Sequence, residues 1–312
     1  MNDDISFPRI CNLWAEEKRR QVKPTSMAAY MVSIDKYLLS HFSKLSDVNS
    51  ESVQNFISEK IMAGLSVKSI KDILVVLKMI MKYAVSSGYK INWNYKAALP
   101  KEIKSKDITV FTTVQQKKLM DYLTSNWNYK NLGILICLTT GLRIGEICGL
   151  KWADINFEMS SLSINKSVYR LYFPNSQNEK SRLIVNTPKT RHSYRTIPLP
   201  SNILKLITEY NTDRNKDYFI VSNSSKPMEP RNYRNYFHQL LRSLDLPILK
   251  FHSLRHSFAT RCIENNCDYK TVSAILGHAD ISTTLNLYVH PSAEQKRSCI
   301  EKMVESLNKY PL

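Results

Sequence analysis

The chain has 312 residues, enough for two domains that each bury a core. Hydrophobic residues make up 43% and charged residues 23%, ordinary values for a soluble globular protein. Lysine and arginine number 44 against 27 aspartates and glutamates, and the net charge of +17 favours a polyanionic partner, nucleic acid ahead of a membrane surface. A merely basic surface is the alternative that charge alone leaves open.

The six cysteines, Cys11, Cys137, Cys148, Cys262, Cys267 and Cys299, contain no C-x-x-C pair. Cys137, Cys148 and Cys262 sit in apolar, helical surroundings, which argues for reduced, buried thiols in a cytosolic protein and against a disulfide framework or a zinc site. The acidic N-terminus lacks an apolar stretch, so no secretory signal is visible. The longest apolar run, Leu132 to Leu142, is too short to span a bilayer and is followed by Arg143. Gly141, Gly145 and Gly149 therefore read as close helix packing in a soluble protein.

In chain order, the first hundred residues predict helices only. Phe7 to Gln21 is the first, and Pro24-Thr25-Ser26 starts a second that runs to about Ser40. Asn49 or Ser50 caps a third that ends before Gly64, and Ser66 caps a fourth that ends before Gly88. In the fourth, Ile70, Ile73, Leu74, Leu77, Ile80, Met81 and Ala84 form one apolar face. Lys68, Lys71, Lys78 and Lys82 share a flank, either a DNA-backbone contact surface or a plain solvated face.

Residues 96–107 are lysine-rich, contain Pro100, lack an apolar period and read as a linker between domains 1–95 and 108–312. From Ile108 the pattern is mixed α and β. Helices are expected at Thr113–Thr124, Tyr129–Thr140 and Ile144–Leu150, and strands at Leu162–Asn165 and Val168–Phe173. Two further strands, Arg182–Asn186 and Ser193–Leu199, flank Pro188-Lys189-Thr190-Arg191 as a hairpin, and Pro174–Ser181 is a surface loop. Helices return at Ser201–Asn211 and Arg231–Leu244 and continue through the closing region. The expected fold is thus mainly α with a small β-sheet.

That closing region carries the chemistry. It reads F-H-S-L-R-H-S-F-A-T from Phe251, and then L-G-H-A-D-I-S-T-T-L-N-L-Y from Leu276 to Tyr288. Imidazole, guanidinium and phenol together can cut a phosphodiester without a metal: arginine holds phosphate oxygens, histidine moves protons, and the phenol attacks. His256 lies at i+4 from His252, a spacing that also suits zinc, but Arg255 between them is a poor neighbour for a cation. No G-x-x-x-x-G-K phosphate loop and no carboxylate cluster for a two-metal site occurs in these motifs.

Four segments in order, Thr139–Leu150 (T-T-G-L-R-I-G-E-I-C-G-L), Thr187–Leu199 (T-P-K-T-R-H-S-Y-R-T-I-P-L), His252–Thr260 (H-S-L-R-H-S-F-A-T) and Leu276–Tyr288, resemble the tyrosine recombinase, or phage integrase, family. The helical first hundred residues are similar, more loosely, to its core-binding domain. The resemblance implies an all-helical N-terminal core-binding domain followed by a mixed α+β catalytic domain. It implies six active-site residues. Arg143 and Arg255 grip the scissile phosphate, with Glu146 orienting Arg143. Lys189 protonates the leaving 5′-oxygen, with Arg191, Lys180 and Lys166 as competitors for that role. His252 and His278 bond the phosphate and assist proton transfer, and Tyr288 is the nucleophile; His256 is structural.

The implied reaction is transesterification through a 3′-phosphotyrosyl link and a free 5′-hydroxyl, with no metal, ATP or other cofactor. Implied partners are double-stranded DNA at two recombination sites, a homotetramer formed there from a protein monomeric when free, and an accessory directionality factor. Lys68, Lys71, Lys78, Lys82 and Arg191 are DNA-contact candidates. The expected role is integration and excision of a mobile element in the bacterial cytoplasm, on the nucleoid. Xer-like chromosome dimer resolution and DNA inversion use the same chemistry, a type IB topoisomerase uses similar chemistry alone, and a catalytically inactive DNA-binding regulator is the distant alternative. The polar Tyr169–Arg182 region, in place of the short G-K-G hairpin of Xer proteins, favours the mobile element. The chain starts almost directly in the core-binding segment, so no separate arm-binding domain is expected before Phe7. Glu294–Leu307 carries Ile300, Met303, Val304 and Leu307 on one helical face, for docking on a neighbouring subunit or closing its own domain.

Overall fold

Four amphipathic helices dominate the first part of the computed structural model, which describes residues 5–91, 98–100, 109–173, 179–186, 194–210, 215–288 and 293–308. They are α1 (Phe7–Arg19), α2 (Pro24–Ser33), α3 (Ser50–Met62) and α4 (Val67–Ser86). Pro24 opens α2, the Asn49 carboxamide accepts the Ser52 N–H at 3.0 Å, and the Ser66 hydroxyl accepts the Ser69 N–H at 3.1 Å. The second helix does not run on as α to Ser40. At Ile34–Leu38 it widens into a π turn, and Ile34 and Leu38 are both buried there.

The apolar face of α4 is buried along its length, from Ile70 to Ala84, against α1, α2 and α3. Each fully buried aliphatic side chain stabilises the unit by about 1.5–3 kcal/mol. Lys68, Lys71, Lys78 and Lys82 are exposed. The chain divides into two compact units, Met1–Ser105 with Arg170–Leu183, and Lys106–Tyr169 with Ile184–Leu312. Of the expected linker 96–107, only residues 98–100 lie among those described.

In the second unit, α5 (Thr113–Ser125) and α6 (Tyr129–Thr140) precede the short α7 (Ile144–Gly149). Leu132 to Leu138 of α6 are all buried, because a helix apolar on every side must be central; α5 and α10 (His252–Glu264) pack against it. Gly141 ends α6 at φ +70°, a left-handed conformation that glycine adopts without strain. Gly145 permits a close approach, but to a strand: a Cβ there would stand 2.8 Å from the Val168 carbonyl oxygen.

Strands β1 (Ile155–Asn156), β2 (Ser161–Ile164) and β5 (Arg195–Pro198) form one antiparallel sheet in that order, and β3 (Ser167–Tyr172) with β4 (Ser181–Asn186) forms a two-stranded ribbon. This corrects the hairpin read around residues 188–191. Among the described residues β4 pairs with β3, while β5 pairs with β2 in the register Leu162↔Ile197. Ile197 is buried and needs the cover of Leu162 and Ile164, whereas β4 has no buried residue and suits an edge.

The remaining helices are α8 (Ser201–Tyr210), α9 (Pro230–Ser243), α11 (Tyr269–Leu276), α12 (Ser282–Tyr288) and α13 (Ala293–Asn308). Ile300, Met303 and Val304 of α13 are exposed. Cys11, Cys137 and Cys148 are buried free thiols, but Cys262 is only half-buried and Cys267 is exposed. No described helix is long and apolar enough to cross a membrane.

Candidate active site

Arg143 sits where α6 has ended and α7 begins, with extended backbone at the N-cap of α7. The turn at Gly141 sets the direction of that short link. One helical turn on, Glu146 reaches back: its carboxylate accepts the Arg143 backbone N–H at 2.9 Å and Nη1 at 2.8 Å. Arg143 Nη2 donates to the Gly277 carbonyl at 3.3 Å, and the side chain keeps about a third of its surface exposed, at 36%.

Arg255, in the first turn of α10, is 1% exposed and among the largest fully buried side chains. Its Nη1 donates to the Gly141 carbonyl at 2.9 Å, so the two arginines are tied to the two glycines that end α6 and α11. Burying a guanidinium costs several kcal/mol in lost hydration, and such charges collect where chemistry needs them.

His252 heads α10, and its ring meets that of His256 edge-on at 4.5 Å between centroids. His278 follows the left-handed cap at Gly277, and its Nδ1 lies 2.8 Å from the hydroxyl of the buried Thr284. The pKa of His252 is lowered to about 4, first by burial and then by His256, Arg255 and Arg143. That of His278 is also lowered to about 4, by burial and then by Arg255, Arg143, His252 and Arg195. Both imidazoles are therefore neutral at neutral pH and stand in the field of the same arginines.

The site thus brings together Arg143, Glu146, His252, Arg255 and His278. Lys189 and Arg191 lie outside the described residues. Tyr288 closes α12 by its backbone, and its side chain also lies outside what is described. Of the competing lysines, Lys166 pairs with the buried Asp154 at 2.8 Å, which commits it elsewhere, and Lys180 is exposed.

One residue of this site was not singled out by sequence reasoning. Arg195 opens β5, and its side chain is 7% exposed. Nη1 and Nη2 donate to the two Glu146 carboxylate oxygens at 3.1 and 3.0 Å, and Nε donates to the Ile275 carbonyl at 2.6 Å. Burial pushes the Glu146 carboxyl up, but the Arg195 hydrogen bonds and charge, with the charge of Arg143, hold it below its ordinary value. The available signal was alternation: Arg195 is in phase with Ile197 and Leu199, so it faces inward with them.

Two family descriptions match: the phage integrase family over residues 109–295, and the phage integrase N-terminal SAM-like domain over residues 6–61. The chain therefore belongs to the phage integrase family, the tyrosine recombinases, which are DNA strand transferases. A tyrosine recombinase XerC-like protein of Caldanaerobacter subterraneus is 29% identical, covering 96% of this chain and 83% of its own. The ICEBs1 integrase of Bacillus subtilis is 22% identical, covering 97% and 84%. Among solved structures, the Tn1549 transposon integrase in complex with transposon right end DNA superposes with a TM-score of 0.74 at 21% identity, covering 95% of this chain and 99% of that one. At that identity the likeness establishes the shared fold.

Proposed function

We propose that this recombinase integrates and excises a mobile element by cutting and rejoining DNA at specific sites. The observation that carries the chemistry is the gathering of Arg143, Arg255 and two neutral histidines around the ends of α6 and α11 and the start of α10. Arg143 and Arg255 bind the non-bridging oxygens of the scissile phosphate and offset the charge that grows in its pentacoordinate transition state. The hydrogen bond between Nδ1 of His278 and the Thr284 hydroxyl fixes the ring's orientation and leaves Nε2 for the phosphate.

The Tyr288 oxygen attacks phosphorus, and its proton passes to a neutral imidazole. The P–O5′ bond breaks, Lys189 protonates the departing oxygen, and a 3′-phosphotyrosyl link with a free 5′-hydroxyl remains. A 5′-hydroxyl of the partner duplex reverses the step. The bond energy is conserved in the phosphotyrosine, so no ATP is consumed.

Exchange between two duplexes requires four such sites, hence a homotetramer on DNA assembled from monomers in the bacterial cytoplasm, with a directionality factor biasing excision. The exposed Ile300, Met303 and Val304 of α13 supply an apolar face for a neighbouring subunit. Similarity to the ICEBs1 integrase supports the mobile element. Similarity to a XerC-like recombinase favours a second reading, chromosome dimer resolution, which shares every chemical step.

The test is covalent trapping. Metal-free protein is mixed with nicked duplexes from the DNA flanking its own gene, beside Tyr288→Phe. A denaturation-resistant adduct in wild type alone, mapped to Tyr288, is expected. An adduct that persists in Tyr288→Phe would reject the nucleophile, and bound DNA without any adduct would favour a binding protein.

A further inference from the structure

We infer that Arg195 is a positioning residue for strand cleavage, fixing Arg143 and His278 in register with each other from a strand that carries neither. The inference rests on the recombinase reading above. Arg195 uses its guanidinium in three directions: a two-pronged contact to Glu146 at 3.1 and 3.0 Å, and Nε to the Ile275 carbonyl at 2.6 Å. Glu146 in turn holds the backbone and the side chain of Arg143. Ile275 belongs to the last turn of α11, two residues before Gly277 and three before His278. One side chain therefore joins the start of α7 to the end of α11, and its own strand is fixed by pairing with β2 at Arg195↔Ile164.

Only arginine fits this place. Its planar fork donates in parallel to both carboxylate oxygens while Nε points elsewhere; a lysine ammonium is a single point on a flexible stem. With Arg195 removed, the buried Glu146 carboxylate keeps Arg143 as its cationic hydrogen-bond partner. Glu146 is then fixed from one side only, so it and the Arg143 that it grips shift together away from the phosphate position, and the end of α11 loses its tether. A displacement on the order of 1 Å of a catalytic group costs about 100-fold in rate.

The charged and titratable groups facing Glu146 are Arg143 at the head of its own helix, Arg195 of β5, His252 of α10 and the Cys137 thiol of α6. Arg195 is the largest influence holding the Glu146 carboxyl low, so its removal raises that pKa. Protonation of Glu146, which frees its grip on Arg143, then begins at a higher pH than in wild type.

The experiment compares wild type, Arg195→Met, Arg195→Lys, Glu146→Gln and the Arg195→Met/Glu146→Gln double variant. Adduct formation on saturating nicked duplex, DNA affinity and thermal unfolding are followed from pH 5 to 8. Arg195→Met should form adduct about 10- to 100-fold more slowly, with DNA affinity within about twofold. Arg195→Lys, which keeps the charge and the fold, should fall between it and wild type. The loss in Arg195→Met should deepen toward acid pH, and that extra slope should vanish in the Glu146→Gln background. A wild-type saturated rate in Arg195→Met, losses that simply multiply in the double variant, or a fall in affinity equal to the fall in rate would overturn the inference. If wild type itself forms no adduct on DNA that it binds, the recombinase reading fails instead.

Discussion

The two units bury different chemistry. In the helical first unit, from Phe7 to Ala84, every fully buried residue described is hydrophobic. All of the buried polar and charged residues described, Glu146, Asp154, Arg255 and Thr284 among them, belong to the second unit. Apolar area stabilises a fold without cost in hydration, whereas a buried ion pair roughly breaks even at best. The first unit is built for stability with lysines outside it; the second gives up stability to hold ions, which on the proposed reading meet a phosphate.

The largest expected effect tests the second half of that contrast. Arg143→Ala should lower adduct formation on saturating DNA by about 100- to 1,000-fold, the scale for losing one preorganised transition-state donor, while DNA binding survives. Gel-resolved single-turnover cleavage beside a binding titration separates the two. The opposite behaviour is expected at Leu77, which is 0% exposed in the first unit. Leu77→Ala should destabilise by about 2–5 kcal/mol in chemical denaturation and leave cleavage per bound molecule unchanged.

Proton uptake sharpens the contrast further. His252 and His278 have pKa values of about 4 against an ordinary value near 6.5. Between those values the unfolded chain binds more protons, so they lower stability as pH falls from about 6.5 toward 4 and contribute nothing above it. Burial depresses them most, and a phosphate offsets the arginine charges that add to it. DNA binding near pH 6 should therefore take up protons, seen by calorimetry in buffers of different ionisation enthalpy, and uptake should disappear at pH 8. The smallest effect belongs to the lysines of α4. Lys68→Gln, Lys71→Gln, Lys78→Gln or Lys82→Gln should each reduce the slope of log affinity against log salt by about 1 if the residue touches a phosphate.

Legibility in the sequence followed the range of the interactions. The bounds of α6 were readable because Asn128 caps it and Gly141 ends it, both local signals. The face of α4 was readable from its period. The π turn at Ile34–Leu38 was not, because an added residue in one turn leaves the apolar spacing almost intact. The β4–β5 hairpin was misread because strand pairing is not local: Ile197 finds Leu162, 35 residues away, rather than a strand beside it. In the site, Arg143, Glu146, His252, Arg255 and His278 were legible from motif resemblance. Arg195 lay inside a recognised segment yet was not singled out, because its partners Glu146 and Ile275 come from distant parts of the chain.

If the buried ions of the second unit serve cleavage rather than stability, Arg255→Met separates the two. Thermal unfolding and adduct formation on saturating nicked DNA would be measured on the same preparation. The expected result is a melting temperature close to that of wild type, since shedding a buried charge offsets the lost hydrogen bond to the Gly141 carbonyl, and adduct formation slower by at least about 100-fold. A variant that melts well below wild type yet forms the adduct at the wild-type rate per folded molecule would contradict it.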